Sequence, residues 1–335
     1  MTHPPETTEA RAAAPLATAP ASAGSGDGGT DNGADKTRGG WRGRRSYRGT
    51  VAPYGFLTPT FVLLLVLMVT PITMVIGYSF VDRVIINPNS EFVGFENYAQ
   101  VLGDPVFFKA VSNTAIFAGA SVIAHFVLGM GFALMLNSPM IGNRLKAVYR
   151  AIYILPWLFT VAIVAVLWRM LLSPNGIVNF FVTELGFAEE QIAWLSDPSL
   201  ALPAITFINI WAGYPFFMVS LLAGLQGISS ELYEAARLDR AGPVKQFFNV
   251  TLPQLKPIII SMALLDFIWT TQQFALIWMT TGGGPIDATE MVSTYTYKLA
   301  FSTYDFAVAS ASAVIIFLLS MTLAFFYVRH QKSRD

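Results

Sequence analysis

Residues Glu234–Pro253 read EAARLDRAGPVKQFFNVTLP, a polar stretch set between long apolar runs. Ser229 and Ser230 are suited to cap a helix there, Glu231 and Glu234 put negative charge near the positive end of its dipole, and Gly242-Pro243 ends it. Helical spacing places Leu232, Ala235, Ala236 and Asp239 on neighbouring faces, so two small methyls flanked by carboxylates allow close approach of a partner. A second short helical run from Pro243 to Val250 returns the chain to Leu252-Pro253, where proline restarts an apolar span. The loop, residues 229–257, is built to be gripped from the water side. The plainer alternative is an amphipathic connector between two spans.

What surrounds this loop is a sequence made for lipid. Of 335 residues, 54% are hydrophobic and 13% charged, whereas a soluble domain carries roughly a quarter charged residues. Zero net charge excludes a strongly basic nucleic-acid binder, and the absence of cysteine removes disulfides, thiolate catalysis and cysteine metal sites together. From Thr2 to Gly40 the chain is dominated by Ala, Thr, Pro, Gly and Ser, the composition of a disordered tail. Arg38, Arg42, Arg44, Arg45 and Arg48 then form a basic cluster suited to anionic lipid headgroups. The apolar run that follows is too long for a secretory signal and lacks a small-residue cleavage site, so it reads as a retained span.

Six segments are long enough to cross a hydrocarbon core of about 30 Å, which takes on the order of 20 helical residues. They fall at about residues 57–80, 110–136, 150–172, 201–227, 257–280 and 306–328. The expected fold is an all-α membrane protein of six transmembrane helices, with the loop 229–257 between the fourth and fifth. Pro71, Pro156 and Pro215 mark expected kinks or packing contacts. Basic residues gather in the tail, in the loop with Arg144, Lys146 and Arg150, in the 229–257 loop and at Arg329, Lys332 and Arg334. By the positive-inside rule these segments, and both termini, face the cytoplasm. The opposite loops hold Arg83, Lys109, Arg169 and Lys298, and the stretch from Glu184 to Asp197 is acidic. Trp157, Trp168, Trp194 and Tyr327, near span ends, fit interfacial belts.

The stretch beginning at Glu234 resembles the EAA loop of the permease subunits of ABC importers, in which a short helix starting Glu-Ala-Ala docks into a cleft on a cytoplasmic ATPase. Three further runs resemble carbohydrate-uptake permeases of the maltose and glycerol-phosphate type: Phe92 to Tyr98 (FVGFENY) leading through Asp104 to Asn113-Thr114; Trp211 to Gln226 (WAGYPFFMVSLLAGLQ); and TGGGP at 281–285 followed by Ala288-Thr289-Glu290. Their order and spacing cover the chain from about residue 54 to its end. Composition sets apart residues 1–50 as a disordered cytoplasmic tail ending in the basic cluster, and the resemblance implies a six-helix permease domain over residues 51–335. It further implies coupling to ATPase through Glu234, Ala235, Ala236, Asp239, Gly242, Leu252 and Pro253. Implied partners are a second permease subunit forming a heterodimer, two ATP-binding subunits that use ATP and Mg, and an extracellular solute-binding protein that delivers a carbohydrate. Where the family has glycine after the aspartate, this chain has Arg240, which bears on the turn.

Polar groups in membrane helices are costly and face protein or a water-filled cavity. On the fourth span Asn209, Gly213 and Phe216 recur at i, i+4 and i+7, and on the fifth Asp266, Thr270 and Gln273 do the same. At about 1.5 Å per residue, Gly213 and Thr270 both stand some 20–24 Å from the 229–257 loop. Facing stripes of this kind offer a sugar amide and carboxylate partners, an aromatic plane, and at Gly213 room, with Trp211, Tyr214 and Trp269 as further aromatic candidates. Such spacing equally describes a seam between helices. His125 stands alone in the second span and reads as a packed hydrogen-bonding side chain without assigned chemistry.

Chemistry of the chain's own is excluded on several counts. There is no GxxxxGK[ST] phosphate loop, since the glycines at 282–284 run into Pro285, so ATP is hydrolysed elsewhere and the chain binds no cofactor. Neither a histidine pair nor an HExxH motif exists, so no membrane enzyme or metal site is expected. An ion-coupled secondary sugar transporter is the alternative; it would show paired repeats, and none is found.

Overall fold

A computed structural model describes residues 48–82 and 91–332. The expected tail with Arg38, Arg42, Arg44 and Arg45, as well as Arg83 and Arg334, lies outside these residues. The chain divides into two compact units, Met1–Thr58 and Pro59–Asp335; the described part of the first, residues 48–58, is helical.

The described residues are almost wholly helical, with one isolated antiparallel bridge between Val81 and Phe92. In chain order the helices are α1 Arg48–Leu64, α2 Thr70–Tyr78, α3 Glu96–Gly103, α4 Pro105–Asn137, α5 Asn143–Leu158, α6 Val161–Leu171 and α7 Ile177–Glu184. There follow α8 Ala201–Gln226, α9 Ser230–Leu238, α10 Pro243–Gln246, α11 Leu252–Thr271, α12 Ala275–Thr280, α13 Val292–Phe301 and α14 Phe306–Lys332. Two π-helical turns, Leu65–Val69 and Phe247–Thr251, join α1 to α2 and α10 to α11.

Four of the expected spans are single helices long and apolar enough to cross a membrane: Phe56–Tyr78, Pro105–Asn137, Ala201–Gln226 and Pro243–Thr271. The sixth falls on α14, whose apolar part is Phe306–Thr322. The third differs, because α5 and α6 meet at 96°. Phe159 (ψ 142°) and Thr160 (ψ 148°) are extended, just after Pro156 has removed a backbone donor from the last turn of α5. The fifth differs at both ends. It runs without interruption from Pro243, so Leu252-Pro253 continues a helix and does not start one; the wider turn at Phe247–Thr251 accommodates a ring that a regular turn would crowd. It stops at Thr271, nine residues short of the expected end, and a separate α12 follows.

The centre of the unit is the pair α4 and α8. At Gly129 a methyl group would fall on the side chain of Phe217 and 2.9 Å from the Met218 main-chain nitrogen. At Gly213 it would fall on the His125 imidazole. His125 and Gly129 are one turn apart on α4, and Gly213 and Phe217 one turn apart on α8, so each helix presents a bulky group to a notch in the other.

The runs that carried the resemblance are stitched into one scaffold. Asn97 Nδ2 donates to the carbonyls of Ser79 (3.0 Å) and Val81 (3.1 Å), and the Tyr98 hydroxyl pairs with Ser79 Oγ at 2.7 Å. Asp104 caps α4 through the Val106 N–H and accepts from the Tyr295 hydroxyl at 2.7 Å. Burial, and then that bond, pushes the Tyr295 phenol above its ordinary range. Asn113 Nδ2 donates to the carbonyls of Glu290 (3.0 Å) and Asp287 (3.2 Å), and Thr114 Oγ1 accepts the Val292 N–H. Lys298 pairs with the buried Glu290 beside Gly283, whose φ of +92° and lack of Cβ make room for that pair. The loop after α12 is thus pinned to the start of α4. The tryptophans expected at interfaces make internal contacts: Trp157 packs against Phe216, Trp168 edge-on to Phe207 and Trp211, and Trp194 Nε1 donates to the buried Asn179.

Candidate functional site

A cavity of about 230 Å³ lies between α4, α8, α11 and the bend between α5 and α6. Asn209, Gly213, Phe216, Asp266, Thr270 and Gln273, the six residues of the two stripes, all line it. Five of them are on helices as expected. Gln273 is not, because α11 has ended and its N–H makes a terminal bond to the Thr270 carbonyl (3.2 Å); its own carbonyl accepts from Ser293 Oγ. Irregular backbone at both the α5–α6 bend and the end of α11 is admissible at membrane depth where it lines a cavity.

The aromatic wall is made by Phe216 and Trp269, with ring centroids 5.7 Å apart, and by Trp157, 6.3 Å from Phe216. Trp157 therefore joins this cavity, carried there by the bend after Leu158. Of the other aromatic candidates, Trp211 packs against Trp168, and Tyr214 is buried with its hydroxyl on the Tyr153 carbonyl at 3.1 Å.

His125 is not the partnerless histidine that the sequence suggests. It is 2% exposed; Nδ1 lies 2.8 Å from Asp266 Oδ2, and Nε2 lies 3.1 Å from the Asn209 main-chain oxygen. It occupies the space beside Gly213 that the sequence reading assigned to a solute. Depth was a usable signal: His125 is twelve residues before the end of α4 and Asp266 fourteen after the start of α11, so two titratable membrane groups stand about 18–21 Å from one end. The side-chain nitrogen of Asn209 is buried without a hydrogen-bond partner.

The second locus is α9. Ser229 caps it, its hydroxyl accepting from the Glu231 N–H at 3.3 Å. Gly242 does not end it. Arg240 does, in a left-handed conformation (φ 56°) with the Arg240 N–H on the Arg237 carbonyl and the Ala241 N–H on the Ala236 carbonyl, both 2.9 Å. This is a Schellman turn with arginine in the seat that favours glycine. Gly242 instead precedes Pro243 at the start of α10. Glu234, Ala235, Asp239, Gly242 and Pro253 are exposed, and Ala236 and Leu252 half-buried. No residue of α9 is buried; the helix is tied down by the Tyr233 hydroxyl on Thr251 Oγ1 (2.9 Å).

Residues 125–334 match the family described as "Binding-protein-dependent transport system inner membrane component". The chain is 33% identical over 287 residues to the trehalose/maltose transport system permease protein MalF of Thermococcus litoralis, covering 84% of this chain and 94% of that protein. It is also 33% identical to the sulfoquinovosyl glycerol transport system permease protein SmoG of Agrobacterium fabrum, covering 83% and 90%. A solved bacterial alginate ABC transporter, in complex with an alginate pentasaccharide-bound periplasmic protein, has the same fold, with a TM-score of 0.73 at 23% identity over 84% of this chain and 93% of that one.

Two glycine positions give direct tests. Gly213→Ala drives a methyl into the His125 ring and costs about 1–3 kcal/mol, read as a lowered unfolding midpoint of the purified chain. Gly131→Ala, where a methyl meets nothing, leaves the midpoint unchanged or raises it. Arg240→Gly relieves the left-handed arginine by about 1 kcal/mol and slows amide exchange at residues 240 and 241.

Proposed function

The chain belongs to the family of binding-protein-dependent transport system inner membrane components, and on that premise we propose that it is the permease subunit of an ATP-driven carbohydrate importer. It forms half of the translocation pathway, paired as a heterodimer with a second permease subunit. Two cytoplasmic ATP-binding subunits use ATP and Mg, this chain holding no cofactor, and an extracellular solute-binding protein delivers the sugar. The chain crosses the membrane six times with both termini in the cytoplasm, which is where its arginine and lysine clusters favour them.

The observation that carries this reading is α9. Nine residues of helix with none buried are marginal in isolation, and this one presents small and acidic side chains outward. A cleft on the ATPase supplies the missing packing: Ala235 and Ala236 give close approach, while Glu234 and Asp239 make polar contacts. Leu232 and Leu238, 42% and 86% exposed, add apolar area to the same contact. The family is defined by dependence on a binding protein, which favours the ATP-driven reading over ion coupling.

Carbohydrate as the cargo is supported by the names of the two relatives and by the cavity's make-up. Three aromatic rings suit the C–H faces of a sugar, and the amides of Asn209 and Gln273 with the Thr270 hydroxyl suit its hydroxyls. Transport follows by alternating access. ATP binding closes the ATPase pair, the docked α9 moves with it, and the continuous helix from Pro243 to Thr271 carries that movement to the cavity wall, which turns from one face of the membrane to the other.

Two experiments test this. Glu234→Lys or Ala235→Trp lowers co-purification of the ATPase by about tenfold, the loss of roughly 1.4 kcal/mol at an interface, while insertion is unchanged; undiminished co-purification sinks the docking assignment. Gln273→Ala lowers ATP-dependent uptake into proteoliposomes with the subunits still assembled, and unaltered kinetics and solute range would show that the pathway runs elsewhere.

A further inference from the structure

One imidazole joins three helices at the cavity. His125 of α4 meets Asp266 of α11 through Nδ1 and the Asn209 carbonyl of α8 through Nε2. A carbonyl oxygen only accepts, so Nε2 carries a hydrogen. Nδ1 then either donates, as part of an imidazolium, to a carboxylate, or accepts from a carboxylic acid. Both cases put one proton on the line between Nδ1 and Oδ2 and leave the pair without net charge, which avoids the cost of an unpaired carboxylate at a buried position.

The pairing decides what each neighbour has left to offer. Asp266 Oδ2 is committed to His125, and Oδ1 has only a long contact, 3.5 Å, to Thr270 Oγ1. Asn209 has its main-chain oxygen held by the same ring, and its buried Nδ2 has no partner. One acceptor and one donor are therefore under-used on residues that line the cavity. A hydroxyl both donates and accepts, so it suits that combination, and an unpaired buried amide is costly enough to favour being met.

We infer that His125 is the positioning residue of the pathway. By sharing its proton with Asp266 while holding the Asn209 turn of α8, it sets Asp266 Oδ1 and Asn209 Nδ2 as an acceptor and donor for one hydroxyl of an uncharged sugar. Gly213 belongs to the same device, since any side chain there displaces the ring. This inference rests on the carbohydrate pathway proposed above.

The test uses the whole transporter, with its ATPase and binding protein, in proteoliposomes offered trehalose, maltose, diacetylchitobiose and alginate oligosaccharide. His125→Ala is expected to raise KM for the transported neutral sugar by about tenfold, with Vmax close to that of the unaltered protein. His125→Gln, which keeps a donor, recovers part of the loss, and adding Asp266→Asn to His125→Ala costs no more than His125→Ala alone, because the histidine acts through the carboxyl. A KM unchanged by His125→Ala, or losses that simply add, overturns the role of His125 and leaves the pathway standing. Uptake of none of the sugars by the unaltered transporter overturns the carbohydrate reading and this inference with it. For variants that fail to fold, the unaltered chain labelled with 15N-histidine supplies the decision. Only three histidines are present, and the His125 signal is expected to show a protonated Nε2; an unprotonated Nε2 rejects the assignment.

Discussion

The reciprocal notching of α4 and α8 is the contact on which the rest of the unit depends. In a bilayer the lipid tails are as apolar as leucine, so helices associate through close packing and internal hydrogen bonds and not through escape from water. Gly129 lets α4 approach the α8 backbone at Phe217-Met218, and Gly213 lets α8 receive His125. At this approach the imidazole reaches both the Asn209 carbonyl and the Asp266 carboxyl. The packing of two helices and the polarity of the cavity are thus consequences of the same two missing side chains.

The cavity itself comes from interruptions. A regular helix at the third span would fill the space that the α5–α6 bend leaves, and a longer α11 would carry Gln273 around its own axis. Extended residues at Phe159-Thr160 and the helix end at Thr271 expose backbone that lipid would not tolerate. Each is accommodated because it borders the cavity or finds a side-chain partner, as the Gln273 carbonyl does with Ser293.

Continuity matters as much at the other end. The helix from Pro243 to Thr271 is unbroken, so Pro243 and Asp266 lie about 34 Å apart on one element. The Tyr233–Thr251 bond ties α9 to the start of that element, and the left-handed Arg240 turns the chain between them. A force applied at the α9 surface has a short route to the residue that His125 holds.

Several of these features were legible in the chain. Apolar length located four of the expected spans as helices long enough to cross a membrane, while the third proved bent and the sixth shorter in its apolar part, and helical spacing assembled six residues that do line one cavity. The polar runs that resemble carbohydrate permeases do mutual work: Asn113 and Thr114 serve the loop at Glu290 to Val292. Other features were out of reach. Nothing local distinguishes a proline that kinks a span, such as Pro156, from one that a helix absorbs, such as Pro253, because the outcome depends on the dihedrals of the next turns. Nor does a glycine say which neighbour will use its space.

What the amino-acid order determined by itself is therefore what depends on composition and period: which segments are apolar and long, which loop between them is polar, and which faces carry polar groups. The tertiary structure alone decided the partnerships and the turn geometry, namely His125 with Asp266, Gly213 with the imidazole and the left-handed backbone at Arg240. The reason is physical. Periodicity is a property of one helix, whereas a hydrogen bond between residues 141 positions apart exists only once the packing of three helices has brought their side chains within 3 Å or so of each other.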